Sequence, residues 1–288
     1  MSEEKTNPHG QTTGHVWDDT LAELTNPPPK WWMFGLHASW ILVLVYGIYY
    51  PAWPLLDDYT RGIAGWSALK EYKQDLAEVE AIRAPYEAKI AKMSAQEILG
   101  DAELKEYVSR SAKVLFGDNC AACHGSGGQG TTVDDPAQSG FPSLVDDDWL
   151  WGGTIDAILT TITNGRKGMM PKMGGAQLTQ AEIDSLAQSI YDGKVTENPL
   201  YMAKGCVGCH GPDGKGMTAL GSANLTDKIW RFRAKDQLAS IKYTITHGVN
   251  DPTDPKTRKA EMPAWKDRLD ETQIKKLAVY VHQLGGGQ

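Results

Sequence analysis

Two pentads of the form Cys-x-x-Cys-His, Cys120 to His124 and Cys206 to His210, account for all 4 cysteines of the 288-residue chain. Two thiols one helical turn apart can each add across a porphyrin vinyl group, and the residue that follows presents an imidazole to the iron. The spacing therefore points to two covalently attached c-type haems, bound through Cys120, Cys123, Cys206 and Cys209 with His124 and His210 as axial ligands. Two haems imply electron transfer. A zinc ribbon needs its two Cys-x-x-Cys pairs about 15 to 20 residues apart, whereas here the gap is several times longer and a His follows each pair directly. A redox dithiol needs one such pair in a thioredoxin-like alternation of strands and helices, a pattern this Gly-rich sequence lacks.

A haem iron also needs a sixth ligand, or a reason to lack one. Met170-Pro171 and Met262-Pro263 supply a soft donor downstream of each pentad, in a turn-rich segment before a closing helix. Thioether sulfur favours ferrous iron, and His/Met ligation raises the reduction potential. Met169 and Met173 compete with Met170, but only Met-Pro recurs in the second copy. His247 and His282 are alternative nitrogen donors, against the ordinary reading of isolated histidines as surface or hydrogen-bonded residues. The imidazoles of His124 and His210 are expected to be held through their other ring nitrogen by backbone carbonyls in the loops that follow, with Pro212 stiffening the second.

The repeat extends beyond these motifs. Leu144, Asp146 and Trp149 match Leu225, Asp227 and Trp230, and Ile158, Ile162 and Gly165 match Ile241, Ile245 and Gly248. After the Met-Pro step, Leu178, Ile183, Leu186 and Ile190 pair with Leu269, Ile274, Leu277 and Val281, a spacing that makes one face of a helix. Thr179 with Glu182 reads as its capping box. Each copy is thus helix, haem-binding turn, loop, short helix, Met loop and closing helix, which is a cytochrome c fold. The simple expectation from chain order is that each Met serves its own repeat.

Near the N-terminus, Trp31 to Leu56 contains no Asp, Glu, Lys or Arg. Trp31 to Tyr50 alone would extend about 30 Å as a helix, which matches the hydrocarbon core of a bilayer. Trp31 and Trp32 at one end, with Tyr49, Tyr50 and Trp53 at the other, suit interfacial aromatic belts. Pro51 and Pro54 end the span and Asp57-Asp58 return the chain to water. His37 and Ser39 inside it are read first as helix contacts. A cleaved signal peptide fits poorly, because about thirty polar residues precede the apolar run and Tyr-Tyr-Pro-Ala-Trp-Pro is a poor cleavage site. Lysines and arginines flanking the span are too evenly divided to orient it. Haem attachment orients it instead: bacteria attach c-haems outside the cytoplasmic membrane, which places the bulk of the chain in the periplasm and the short tail in the cytoplasm.

Between anchor and haem repeats, Gly65 to Ala102 is charged, with Leu69, Tyr72, Leu76 and Val79 at helical spacing, and is expected to break at Pro85 and Gly100. The overall reading is an all-α chain: a cytoplasmic tail over 1–30, a transmembrane helix over 31–56, a helical linker over 57–101, and tandem cytochrome c-like domains over 102–194 and 195–288. Net charge is −7 with pI near 5.5, so binding to nucleic acid is not indicated. The charge is uneven. Asp134, Asp135, Asp146, Asp147 and Asp148 make the first repeat acidic while the second is basic, and the acidic cluster is either solvated surface or a steering patch for a basic cytochrome.

The sequence resembles the membrane-anchored dihaem cytochrome c subunit (subunit III) of cbb3-type cytochrome c oxidases over nearly its whole length. The resemblance rests on Leu21-Ala-Glu-Leu-Thr-Asn-Pro-Pro-Pro-Lys-Trp-Trp32, Tyr50-Pro-Ala-Trp-Pro54, Gly65-Trp66, Asn119-Cys-Ala-Ala-Cys-His-Gly125, Asn164-Gly-Arg166 and the paired Met-Pro sites. Pro28 stands where the family often has Leu. The resemblance implies a bacterial inner-membrane subunit with no catalysis of its own. It would take electrons from a soluble or anchored periplasmic cytochrome c donor and pass them to a monohaem cytochrome c subunit, then to the haem-copper catalytic subunit that reduces oxygen to water. It also implies that Met170 ligates the second iron and Met262 the first. A different class, a dihaem peroxidase, would need an iron with an open position, and two Met-Pro sites favour closed irons. Within the transfer class, the alternatives are a free-standing anchored dihaem cytochrome or a cytochrome subunit of a periplasmic dehydrogenase.

Overall fold

The computed structural model describes residues 11–18 and 21–287; the part of the cytoplasmic-tail assignment that covers 1–10 and 19–20 lies outside the described residues. The chain divides into two bodies, 1–82 and 83–288.

In the first body, β1 (Thr12–Trp17) pairs antiparallel with β2 (Leu21–Leu24), with a register break between Thr12 and Val16. This hairpin was not part of the all-α expectation. Helix α1 (Lys30–Tyr49) starts behind three prolines, with Pro29 at its N-cap, and stops two residues before Pro51. Proline is tolerated at a helix start, where its missing N–H would have had no partner. The helix is 20 residues of apolar sequence, long enough to cross a membrane, and its side chains lie open, Phe34 by 77 %. Its last carbonyls are not left bare: Ile63 N donates to Ile48 O and Ala64 N to Tyr49 O, both at 3.0 Å. Such closure matters at the end of a helix, where four carbonyls lack intrahelical donors.

Helix α2 (Ala68–Lys92) runs straight through Pro85, contrary to the expected break. An interior proline costs about 3 kcal/mol through a lost hydrogen bond and a clash with the preceding turn. Contacts just beyond it, in the second body, offset that cost. Ile90 is fully buried, Tyr86 stacks on Tyr107 at 4.6 Å, and Glu87 receives both Lys276 Nζ at 2.6 Å and the Tyr107 hydroxyl. The break comes instead after Lys92, where Ser94 and Glu97 form a capping box for α3 (Ala95–Gly100).

The remaining helices are α4 (Ala102–Asn119), α5 (Ala121–His124), α6 (Ile155–Asn164), α7 (Gln180–Tyr191), α8 (Pro199–Ala203), α9 (Val207–His210), α10 (Gln237–His247) and α11 (Glu271–His282). Two short strands, β3 (Thr132–Val133) and β4 (Arg233–Ala234), pair in parallel and tie the repeats together. Side chains four apart on α4, Leu104, Val108, Ala112 and Phe116, face a first core with Ile155, Ile158 and Ile162 of α6 and Ile274, Leu277 and Val281 of α11. A second core joins Ile183, Leu186 and Ile190 of α7 to Ile241 and Ile245 of α10, Val195 and Tyr201.

The boundary at 194/195 therefore separates two sequence repeats but not two packed cores. The closing helix of the first repeat, α7, packs on α10 of the second, and the closing helix of the second, α11, packs on α4 and α6 of the first. The two helices carry apolar residues at the same spacing, Ile183, Leu186 and Ile190 on α7 and Ile274, Leu277 and Val281 on α11.

Candidate functional site

Each pentad sits where a helix ends. Cys120 caps α4, its N–H bonded to Phe116 O at 2.8 Å, and α5 carries the motif on to His124 before Gly125 turns the chain away. Cys206 comes shortly after α8, whose C-cap is Lys204, with its N–H bonded to Tyr201 O at 3.1 Å, and it opens α9, with Gly211 as the exit. All four cysteines are unpaired, one half-buried and one exposed on each turn. Burial pushes the Cys120 thiol up to about 11 and raises Cys206 as well. Cys120 lies against the first core and Cys206 against the second. Among the described residues no group of three or more His, Cys, Asp or Glu converges as a metal site. The two Cys-x-x-Cys pairs thus lie against different cores.

Both imidazoles are fixed as expected, through carbonyls in the loops that follow. His124 Nδ1 lies 3.0 Å from Pro142 O and His210 Nδ1 lies 2.8 Å from Ala223 O. A carbonyl can only accept, so Nδ1 carries the proton and Nε2 keeps its lone pair for a metal. Burial lowers the pKa of both rings, with Arg231 lowering His124 further, so each is held neutral. Neutral imidazole is the ligating form.

The Met loops cross between repeats. Arg166 and Met262 exchange both backbone hydrogen bonds at 2.9 Å, and Met170 does the same with Val249 at 2.9 and 2.8 Å. Met262 packs against the first core, the one that holds Cys120. The Met170 loop continues into a 3-10 turn (Lys172–Gly175) that lies on α10 of the second core. Ligation within a repeat, the simple expectation from chain order, does not follow this path. The approach is close enough to need glycine: a Cβ on Gly165 would lie 2.3 Å from Met262 O, and one on Gly248 2.3 Å from Met170 O. Of the competing donors, Met169 is 65 % exposed. His247 Nδ1 is paired with Asp254 at 3.0 Å.

The N-terminal segment matches the family model described as the N-terminal domain of cytochrome oxidase-cbb3, FixP, over residues 9–57. Residues 108–188 and 198–281 each match the model for cytochrome c oxidase, cbb3-type, subunit III. The chain is 40 % identical to the cbb3-type cytochrome c oxidase subunit FixP of Azorhizobium caulinodans, an alignment covering 96 % of this chain and 94 % of that protein. It is 37 % identical to subunit CcoP of Azospirillum sp., over 96 % of each chain by the same measure, and 34 % identical to subunit CcoP of Cereibacter sphaeroides, over 96 % and 95 %. The chain belongs to the cbb3 oxidase subunit III family. As a subunit III it is a cytochrome c subunit of a respiratory oxidase, and its cytochrome c-type domains imply binding of haem c.

The residues present fit that group. Besides the tautomer-fixed imidazoles, Trp149 Nε1 and Arg231 Nη1 are buried donors with no hydrogen-bond partner among the described residues. Orphaned buried donors are costly, and the propionates of a porphyrin are acceptors of the kind they lack. Burial, with Arg258 nearby, lowers Arg231 to about 10, and its one opposing influence is Asp148. Asp148 is in turn pushed up to about 6 by burial and by Asp227 and Asp146. Not all of the acidic cluster is therefore solvated surface: Asp148 is half-buried, whereas Asp134 stays exposed in a surface ion pair with Lys235 at 2.8 Å.

Several residues that position this subunit III site escaped the sequence reading. Arg166 donates through Nε to Thr161 Oγ1 at 2.9 Å and lies over Trp151 at 4.8 Å. In the second repeat the aligned residue is Val249, yet Arg258 takes the same place, donating through Nε to Thr244 Oγ1 at 2.9 Å and lying over Phe232 at 4.6 Å. Arg258 is 1 % exposed and also donates to the carbonyls of Pro136 and Gln138, holding the first repeat's loop on the second. Asp251, also buried, accepts from Lys172 N at 2.7 Å, two residues after Met170, and from Thr253. These bonds hold its carboxyl down to about 2. The matched Thr161 and Thr244 signalled a common partner, but the partner in the second repeat comes nine positions later than alignment places it.

Proposed function

We propose that this subunit carries two c-type haems, one bound through Cys120 and Cys123 with His124 and Met262 as axial ligands, the other through Cys206 and Cys209 with His210 and Met170. The observation that carries this reading is the reciprocal backbone pairing of the two Met loops with the opposite repeat. It brings Met262 to the core that holds Cys120 and Met170 to the helix that lines the core of Cys206. A bound c-type haem supplies a one-electron ferric/ferrous couple. The chain's own residues then set its conditions: neutral imidazoles held by carbonyls, thioether sulfur that raises the potential, and apolar helices that exclude water.

In this reading the subunit has no substrate site of its own. It takes electrons from a soluble or anchored periplasmic cytochrome c and passes them through a monohaem cytochrome c subunit to the haem-copper subunit, where oxygen is reduced to water. Helix α1 spans the bacterial inner membrane, with the N-terminus in the cytoplasm and the haem-binding body in the periplasm.

Redox titration of the detergent-solubilised oxidase tests the ligand assignment. Met262→His is expected to lower the potential of one haem only, and Met170→His that of the other, since nitrogen replaces sulfur at the iron. Repeating Met262→His with Cys206 and Cys209 replaced by Ser identifies the iron. The shift survives if Met262 serves the haem of His124, and its disappearance would refute the crossed assignment.

A further inference from the structure

A single side chain links the two Met loops. Asn250 follows Val249, the residue paired with Met170, and its own N–H donates to Arg258 O at 2.8 Å. Its Nδ2 donates to Gly168 O and to Ala260 O, both at 2.7 Å, and its Oδ1 accepts from Ala260 N at 3.0 Å. Gly168 lies two residues before Met170, and Ala260 two residues before Met262. Both amide hydrogens are therefore spent on carbonyls, one on each methionine strand. The opposite orientation of the amide would set oxygen against two carbonyl oxygens and nitrogen against an N–H, so the network admits only this one. The backbone at Asn250 is left-handed, φ 52, a conformation that Asn adopts more readily than most residues.

From this we infer that Asn250 is a positioning residue shared by both methionine ligands, so that seating one thioether on its iron supports the seating of the other. The inference rests on the His/Met ligation proposed above. Release of the Met170 strand removes one of the three bonds that orient the Asn250 amide, and the two bonds to Ala260 loosen with it. Asp251 differs from Asn250 in this respect. Its carboxylate accepts from Lys172 N of the Met170 loop and from Thr253 of its own, and its backbone N–H donates to Thr257 Oγ1, also within its own loop.

The test uses the full-length chain in its detergent-solubilised complex. Asn250→Gly removes the side chain and keeps the left-handed backbone at no steric cost. Asn250→Asp keeps the shape but turns an acceptor toward the two carbonyls. The readouts are the far-red thioether-to-iron absorption of the ferric protein, carbon monoxide binding to the ferrous protein as a measure of an opened sixth position, and the two midpoint potentials. Both variants are expected to weaken the thioether signal, open a position and lower the potential at both irons. Asp251→Asn is expected to do so only at the iron served by Met170. If Asn250→Gly and Asn250→Asp change one iron or neither, while Met170→His and Met262→His each shift a potential, the shared role is wrong and the ligation stands. If the Met→His variants also leave both potentials unchanged, the ligation reading falls and takes this inference with it. Should Asn250→Gly lose haem during maturation, Asn250→Asp decides alone.

Discussion

Replacing Gly165 or Gly248 by Ala tests the crossing of the Met loops most directly, because each glycine meets a methionine loop from the opposite repeat. Gly165 has φ 69 and ψ 179, and Gly248 has φ 66 and ψ −168. This region is open essentially to glycine alone, and a residue with a Cβ pays about 1 to 3 kcal/mol to occupy it. The added methyl would also lie 2.3 Å from Met262 O in one case and 2.3 Å from Met170 O in the other, with backbone atoms of the following residues within 2.9 Å. Real contacts of this kind sit beyond about 3 Å, so the facing strand must retreat by most of an ångström, at a further cost of about 1 to 3 kcal/mol. The total, about 2 to 6 kcal/mol, exceeds the worth of the two backbone hydrogen bonds that hold the strand, about 0.5 to 1.5 kcal/mol each. The strand is therefore expected to lift, carrying its thioether away. Gly165→Ala should weaken the far-red thioether-to-iron band by loss of Met262, and Gly248→Ala by loss of Met170, each with a lowered potential at one haem. Gly174→Ala is the control, since Gly174 also has positive φ, at 66, but nothing lies within 4 Å of the added methyl. If all three variants leave the band unchanged, or if Gly174→Ala weakens it as much as the other two, the argument from close approach is refuted.

Arg231 and Asp148 give two further expectations. Arg231→Leu removes a buried positive charge beside His124, and positive charge favours the ferrous state, so the midpoint potential of that haem should fall while haem content, read from the pyridine haemochrome, reports whether a propionate partner was also lost. For Asp148, folding raises the pKa from 3.8 to about 6, through burial first and then Asp227 and Asp146. Below pH 3.8 the group is protonated folded or unfolded and contributes nothing; between 3.8 and about 6 the unfolded chain ionises first, so stability falls as pH rises, and above about 6 the penalty is constant. At about 1.4 kcal/mol per tenfold change in proton affinity, the penalty amounts to about 1 to 3 kcal/mol, the lower end because the side chain keeps some contact with water. Asp148→Asn should therefore raise the thermal midpoint at pH 7.5 and leave it unchanged at pH 3.5, and an equal gain at both values would count against an ionised, desolvated carboxylate.

The parts of this subunit that were legible in the sequence are those whose chemistry is local. A pentad must present two thiols and an imidazole within one turn, so its spacing survives any tertiary arrangement. The same holds for α1, where hydropathy and three prolines define the helix without reference to a partner, and for the Thr179/Glu182 capping box of α7. Its counterpart on α11, Asp270 with Gln273, was equally present as a pattern. What the sequence did not disclose depends on long-range choice. Pro85 is a helix breaker by propensity, but Tyr86, Glu87 and Ile90 find partners on α4 and α11 that hold the helix together. Arg258 lies beyond an insertion in the second repeat, so alignment set Val249 where the guanidinium belongs. Asp148 reads as one more surface carboxylate until folding sets it beside Arg231.

The exchange of closing helices illustrates the limit most clearly. Ile183, Leu186 and Ile190 on α7 and Ile274, Leu277 and Val281 on α11 form the same apolar stripe, so the periodicity that reveals each helix is silent on which core receives it. What distinguishes the two arrangements is the path of the Met loops, where Gly165 admits the Met262 strand and Gly248 the Met170 strand. The exchange also orders assembly. The second core draws its elements from one continuous stretch, α7 through α10, whereas the first must wait for α11 at the far end of the chain to complete the packing begun by α4 and α6. Contacts of such long sequence separation form late because loop closure must be met first. The first core should accordingly be the slower to protect its amides from exchange, even though its pentad comes earlier in the chain.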